Sequence, residues 1–109
     1  MTWSRGPNLF AAAEAPATAE RFEQLARMGN LVVERIVSSA EPASELYDQP
    51  QDEWVVLLRG EATLDIAGTS VTLSAGDTLL LPRHTPHRVL TTSAGALWLA
   101  VHGFPASAT

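Results

Sequence analysis

The sequence predicts one small all-β domain, an antiparallel β-barrel. The chain has 109 residues, of which 46% are hydrophobic and 17% charged, and this length and composition are typical of a single globular domain. Beyond residue 30, short apolar segments alternate with turns at the intervals expected of a barrel or sandwich. The two-residue period is clearest where Ala62, Leu64 and Ile66 alternate with polar residues.

The predicted domain organisation is an N-terminal arm with a short helix over residues 1–30, followed by the barrel domain over residues 31–109. Alanine, proline and glycine dominate the first part of the arm. Thr18 is a candidate N-cap for a helix over residues 19–28, and Gly29 would end that helix.

Seven segments of the barrel domain are predicted strands, and the turns between them contain glycine or proline. They are residues 31–38, 54–58, 62–67, 71–74, 78–81, 87–92 and 96–102. Residues 40–52 contain two prolines and are interpreted as a loop or an irregular strand.

The composition excludes several function classes. The chain has no cysteine and no lysine, which excludes disulfides, zinc–thiolate sites, thiol nucleophiles and side-chain Schiff bases. A net charge of −5 without basic clusters disfavours nucleic-acid binding. No apolar segment is long enough to span a bilayer or typical of a secretory leader. The sequence therefore predicts a cytoplasmic protein that binds neither nucleic acid nor membrane.

Negative charge is concentrated in one part of the chain. Every charge between Arg35 and Arg59 is negative. This run is either a solvated acidic loop, or part of it faces a cation. Its members are Glu41, Glu45, Asp48, Asp52 and Glu53.

Two segments carry the residues that indicate a site. In the first, Glu53 is followed after six residues by Gly60; in the second, Gly76, Pro82 and His87 are spaced by five and four residues. Together they resemble the two motifs of the cupin superfamily, in its small single-domain bacterial form. The first motif is normally His-x-His, three or four residues, Glu, six residues and Gly. The second is Gly, five residues, Pro-x-Gly, two residues and His.

The resemblance covers about residues 31–102 and implies a cupin-like double-stranded antiparallel β-barrel, or jelly roll. Three positions depart from the motifs. Tyr47 and Gln49 stand where the first motif has its histidines, and His84 stands where the second has glycine. The family's metal set is three histidines and one glutamate, of which this chain keeps Glu53 and His87.

These residues predict a polar pocket that could hold one divalent metal ion. Carboxylate and imidazole suit Zn, Fe, Mn, Ni or Co, and Gln49 could add a weak carbonyl ligand beside Glu53 and His87. Tyr47 would be a hydrogen-bond donor or proton relay. His84 and His102 are spare histidines that could reach the pocket. Alternatively, Glu53 and His87 only hydrogen-bond each other in a polar interior.

The function therefore stays open between alternatives, because fold does not determine function. The first hypothesis is a metal-dependent enzyme acting on a small organic molecule, with Tyr47 or His84 as acid or base. The second is a metal-free module that binds or senses a small ligand without catalysis. A weaker third is a dimerisation domain without a ligand. Trp54 follows Glu53 and is expected to point outward, where the N-terminal arm or a second subunit would cover it. We expect a homodimer with Trp54 or the arm in or near the interface.

Overall fold

The computed structural model describes residues 2–106, and within that range it contains strands and turns but no helix. The predicted all-β class is therefore confirmed. The eight strands are β1 (Glu20–Met28), β2 (Leu31–Ser38), β3 (Asp52–Arg59), β4 (Glu61–Ile66), β5 (Thr69–Ser74), β6 (Thr78–Leu81), β7 (His87–Thr92) and β8 (Ala96–Gly103). Residues 2–106 contain no helix that is long and apolar enough to cross a membrane.

Two antiparallel sheets form the jelly roll. One has five strands in the order β1-β2-β8-β3-β6, and the other has three in the order β5-β4-β7. Alternate residues of each strand face the space between the sheets, where they form the main hydrophobic core. Its buried members are Ile36, Val55, Leu57, Ala62, Leu64, Leu73, Ala96, Trp98 and Ala100.

The N-terminal segment differs from the predicted helix: residues 20–28 form strand β1, which pairs with β2. Without β1, this edge of β2 would expose unpaired backbone groups, and pairing satisfies them. Gly29, with a φ of 57°, lies in the hairpin turn instead of ending a helix. Phe22, an apolar residue of β1, is 53% exposed. The helical prediction was wrong because tertiary strand pairing outweighed local propensity.

Three arginines hold the arm that precedes β1 against the outer face of the five-stranded sheet. The guanidinium groups of Arg21, Arg35 and Arg59 donate hydrogen bonds to the backbone carbonyls of residues 9, 11, 12 and 13. Arg35 is only 5% exposed and also pairs with Glu23. Beneath the arm lies a second apolar cluster, formed by Ala13, Val37 and Leu97 with Leu58 packed on it.

We expect Gly60→Ala to destabilise the fold more than Gly68→Ala. Both glycines have a left-handed φ, +92° and +88°, so either alanine adds strain of about 1–2 kcal/mol. At Gly60 alone, a Cβ would lie 2.6 Å from Ser93 Oγ and 3.0 Å from Ala96 Cα. Overpacking of this kind adds about 1–3 kcal/mol. Urea denaturation of both variants measures the difference, and equal losses would contradict the close approach at Gly60.

Candidate functional site

A pocket of about 80 Å³ opens between the two sheets at one end of the barrel. Half of its lining is apolar or aromatic and half is polar. The apolar side chains are Phe22, Ile36, Val55, Leu64, Leu81, Val89 and Trp98. The polar ones are Glu20, Glu34, Tyr47, Gln49, Glu53, His87 and His102.

Glu53 occupies a central position in this pocket. Strand β3 lies between β8 and β6, so Glu53 is opposite His102 on one side and Leu81 on the other. Strand alternation directs Glu53 inward and Trp54 outward, and the residues are 8% and 40% exposed. The sheet therefore fixes a buried carboxylate beside an imidazole.

His87 begins β7 and is held from two directions. Its Nδ1 lies 2.9 Å from the Thr85 carbonyl oxygen; because a carbonyl only accepts, Nδ1 carries a proton and donates it. Tyr47 exchanges two backbone hydrogen bonds with His87 and stacks on its ring, with 5.5 Å between centroids. In the neutral ring, Nε2 is then an unprotonated acceptor. It faces Glu53 Oε1 across 3.9 Å, longer than a hydrogen bond.

His102 is engaged by a different carboxylate. Its Nε2 lies 3.2 Å from Glu34 Oε1, and its Nδ1 is 3.4 Å from Gln51 Nε2. The hydrogen bond to Glu34 raises the pKa of His102, against the opposing effect of burial. His102 Nε2 therefore donates a hydrogen bond to Glu34 at the pocket wall, and Glu53 is a second acidic neighbour.

Burial shifts the ionisation of the acidic groups in the pocket towards their protonated forms. It raises the pKa of Glu53, and the charges of His102 and His87 only partly offset the shift. Burial also raises the pKa of Glu20, despite its hydrogen bond with Ser38. Tyr47, which burial and nearby glutamates affect together, has a pKa raised to about 12. The pocket favours a proton or another positive charge.

The structure brings five of the six sequence-derived candidates to one pocket: Tyr47, Gln49, Glu53, His87 and His102. The sixth, His84, lies outside it, which corrects the expectation that it could reach the site. Its side chain is 65% exposed and its Nδ1 lies 2.9 Å from Asp48 Oδ1. His84 has a φ of 60°, so it fills the turn position where the family motif has glycine.

Sequence reasoning missed two glutamates of the pocket. Glu20 was missed because residues 19–28 were predicted to form a helix outside the barrel, whereas Glu20 lies on strand β1. Glu34 could have been found, since alternation along β2 places it on the same face as Ile36, and both line the pocket.

The arrangement does not fit a resident metal ion. Within residues 2–106, no three His, Asp or Glu side chains come together in a group that could hold one. Glu53 and His87 offer two strong donors, whereas His102 is held by Glu34. Gln49 is a weak neutral ligand, and the phenol of Tyr47 would have to lose a proton whose pKa is raised to about 12.

Comparison with protein families identifies the chain. The model of the Cupin domain family matches residues 35–102, and the chain therefore belongs to the cupin family. A search of curated proteins found no match.

Solved structures agree with this assignment. A Ralstonia eutropha protein, provisionally named a mannose-6-phosphate isomerase, is 38% identical with a TM-score of 0.82, covering 94% of this chain and 100% of its own. An RmlC-like cupin from Desulfovibrio desulfuricans is 18% identical (TM-score 0.79; 93% and 97% covered). KdgF from Halomonas sp. is 16% identical (TM-score 0.73; 80% of each chain covered). The last two support the fold alone.

We expect Glu53→Gln to stabilise the protein increasingly as pH rises. The pKa of Glu53 is raised above its ordinary value of 4.5, so ionisation of Glu53 costs stability as pH rises through the folded-state pKa. Glutamine keeps the size of the side chain and removes this cost. The stability difference from the wild type should grow as pH rises above 4.5, by at most about 1.4 kcal/mol per pH unit, and level off above the folded-state pKa.

Denaturation of both proteins across that pH range measures the effect. Glu61→Gln is the control, because Glu61 is exposed on β4 and its difference from the wild type should stay flat. If Glu53→Gln instead lost stability relative to the wild type as pH rises, the charged carboxylate would be stabilised in the fold, and the raised pKa of Glu53 would be wrong.

Proposed function

We propose that this cupin protein binds a small organic molecule in its barrel without a resident metal ion, and that Glu53 and His87 exchange protons with it. One observation carries the proposal: two buried side chains, a carboxylate and an imidazole Nε2, face each other across 3.9 Å inside a pocket. A polar group of a ligand placed between them could reach both. Thr85 and Tyr47 hold the imidazole in this orientation.

The chemistry that follows is general acid–base catalysis. Burial favours the protonated form of Glu53, which can donate a proton to a bound oxygen or nitrogen. In its neutral form His87 can accept a proton at Nε2, because Nδ1 already donates to the Thr85 carbonyl. A positioned acid and base of this kind contribute about 10²–10⁴-fold each to a rate. A module that only binds its ligand would use the same contacts without turnover.

The metal-dependent enzyme hypothesis has one observation in its favour. A histidine that binds a metal usually donates its other N–H to a carbonyl or carboxylate, as His87 does to Thr85. The second and third strong ligands that a structural or catalytic site needs are not both present, since only Glu53 stands near His87. We therefore favour the metal-free pocket.

The name of the Ralstonia relative suggests a phosphorylated sugar as a candidate ligand, and this pocket gives that candidate little support. Phosphate groups are commonly bound by arginine or lysine. The pocket lining contains three glutamates and no arginine, and the chain contains no lysine.

We expect EDTA to leave the melting temperature unchanged, and added Zn, Mn, Ni, Co or Fe(II) not to raise it.

A thermal-shift screen of small organic molecules against the EDTA-treated protein should yield stabilising compounds, because a ligand that binds only the folded state adds stability by mass action. His87→Ala should abolish these shifts, while His84→Ala, with its exposed side chain, should preserve them.

Two results would overturn the proposal. A stoichiometric metal whose removal lowers the melting temperature would restore the metal-dependent hypothesis. Compounds that stabilise wild type and His87→Ala equally would bind elsewhere and leave the pocket without a role.

The cytoplasmic location of the protein stays a prediction. We also propose that the protein forms a homodimer through the outer face of the five-stranded sheet. Trp54 and Leu80 are adjacent in the pairing of β3 with β6, and they are 40% and 66% exposed. The arm covers the part of this face around Val37 and Leu97 and leaves the Trp54–Leu80 pair open. We take this adjacent pair as the centre of the interface, because contiguous exposed apolar surface marks association sites.

Light scattering should report a dimer for the wild type and a monomer for Trp54→Lys combined with Leu80→Lys, because two buried cations would disfavour association. Leu90→Lys is the matched control: Leu90 is also 40% exposed but lies on β7 in the other sheet, and its variant should stay dimeric. A wild type that is monomeric at high concentration would refute the interface.

A further inference from the structure

The charge of the pocket points to a class of ligand: we infer that the molecule bound in the barrel is an organic cation with a primary ammonium group, which lies among Glu20, Glu53 and His87. This inference rests on the proposed function, because it specifies the charge of the small molecule that the pocket binds.

The ionisable side chains that line the pocket are mostly acidic. Three carboxylates, those of Glu20, Glu34 and Glu53, line one small cavity. No arginine lines it, and the chain has no lysine. Strand alternation turns Arg35 to the opposite face of β2, where it binds the arm. An anionic ligand would meet carboxylates that only the two histidines could offset, whereas a cation meets opposite charge.

The Glu53 carboxylate lacks a strong partner. His102 pairs with Glu34 at 3.2 Å, and Glu20 accepts a hydrogen bond from Ser38 Oγ at 3.0 Å. Glu53 is more than nine-tenths buried, and its nearest ionisable partner, His87 Nε2, stands 3.9 Å away. Buried charges are normally paired, so the inward-facing Glu53 carboxylate and His87 Nε2 mark the place of a donor that comes from outside the chain.

A primary ammonium matches the acceptors at this place. It has three N–H donors and no acceptor. Glu53 and Glu20 provide carboxylate oxygens, and the neutral form of His87, whose Nδ1 donates to Thr85, provides Nε2 as an acceptor. All three side chains line the same cavity. Hydrogen bonds between an ammonium and carboxylates are charge-assisted and stronger than neutral ones.

The remaining lining fits the carbon chain of such a ligand. The cavity of about 80 Å³ is several times larger than the roughly 10–15 Å³ that one water molecule needs, and it has room for an ammonium group and its first carbons. Trp98 and Tyr47 offer aromatic surface to a cation. Phe22, which lines the pocket and is 53% exposed, lies where the chain would leave towards solvent.

Three C4 probes of matched size test the charge directly: n-butylammonium, 1-butanol and butyrate. Each is titrated by NMR into the full-length protein at pH 7.5 with EDTA present, and the Trp98 indole N–H reports on the pocket. We expect saturable shifts with n-butylammonium, at least tenfold weaker binding of 1-butanol, and no binding of butyrate.

Variants locate the binding. Glu53→Gln should weaken n-butylammonium binding about tenfold, as expected for the loss of one charged hydrogen-bond partner. Glu20→Gln should act in the same direction, and it serves as the second test if Glu53→Gln folds poorly. Glu61→Gln, which is exposed and outside the pocket lining, should bind n-butylammonium like the wild type.

The outcomes separate this inference from the proposed function. Selective binding of n-butylammonium that depends on Glu53 supports both. If 1-butanol or butyrate binds in the pocket as tightly, the pocket is a ligand site, but the cationic ligand is wrong. If no C4 probe binds while the broader screen yields ligands sensitive to His87→Ala, the cationic ligand is again wrong. If that screen is empty too, the proposed function fails with it.

Discussion

The two-residue alternation of β2 is the constraint on which both the fold and the pocket depend. Glu34 and Ile36 face the barrel interior, whereas Arg35 between them faces outward and is buried beneath the N-terminal arm. A shift of one residue in register would exchange these faces. It would put a guanidinium in the cavity and a carboxylate under the arm, where backbone carbonyls could not satisfy it. The register thus keeps Arg35 out of the cavity and Glu34 inside it.

This sorting makes the interior costly unless its polar groups are satisfied, because buried polar atoms without partners destabilise a fold. Several contacts reduce the cost: Ser38 Oγ donates to Glu20, Trp98 Nε1 donates to Ser38, and Glu34 pairs with His102. Glu53 has no comparable partner. Because the buried carboxylate of Glu53 lacks such a partner, its charged form is disfavoured and its pKa is raised. Functional sites commonly retain such unsatisfied groups at the expense of stability.

Much of the barrel could be predicted from the sequence, because its strands are short, alternate with period two and are separated by turn residues. Glu53 and His87 were found because their segments resemble the two cupin motifs, and alternation then places Trp54 on the outside. β1 could not be predicted, since its apolar residues also fit a helical period and the free edge of β2 that recruits it is a tertiary feature. Glu20 was lost with it. His84 was misjudged for a different reason: its identity suggested chemistry, whereas its position required a left-handed backbone conformation.

The departures from the family motif and the acidity of the pocket have a common explanation. In a site of three histidines and one glutamate, which the resemblance implies for the family, a divalent ion supplies the positive charge next to a single carboxylate. Here tyrosine and glutamine replace two of the histidines, while Glu20 and Glu34 bring the carboxylates lining the cavity to three. The loss of neutral nitrogen ligands lowers the affinity for a metal ion. The two further carboxylates make a positive charge in the pocket more favourable. In the empty pocket, a proton on Glu53 supplies part of this positive charge. Under our proposal, the ammonium group of the ligand supplies it in the complex.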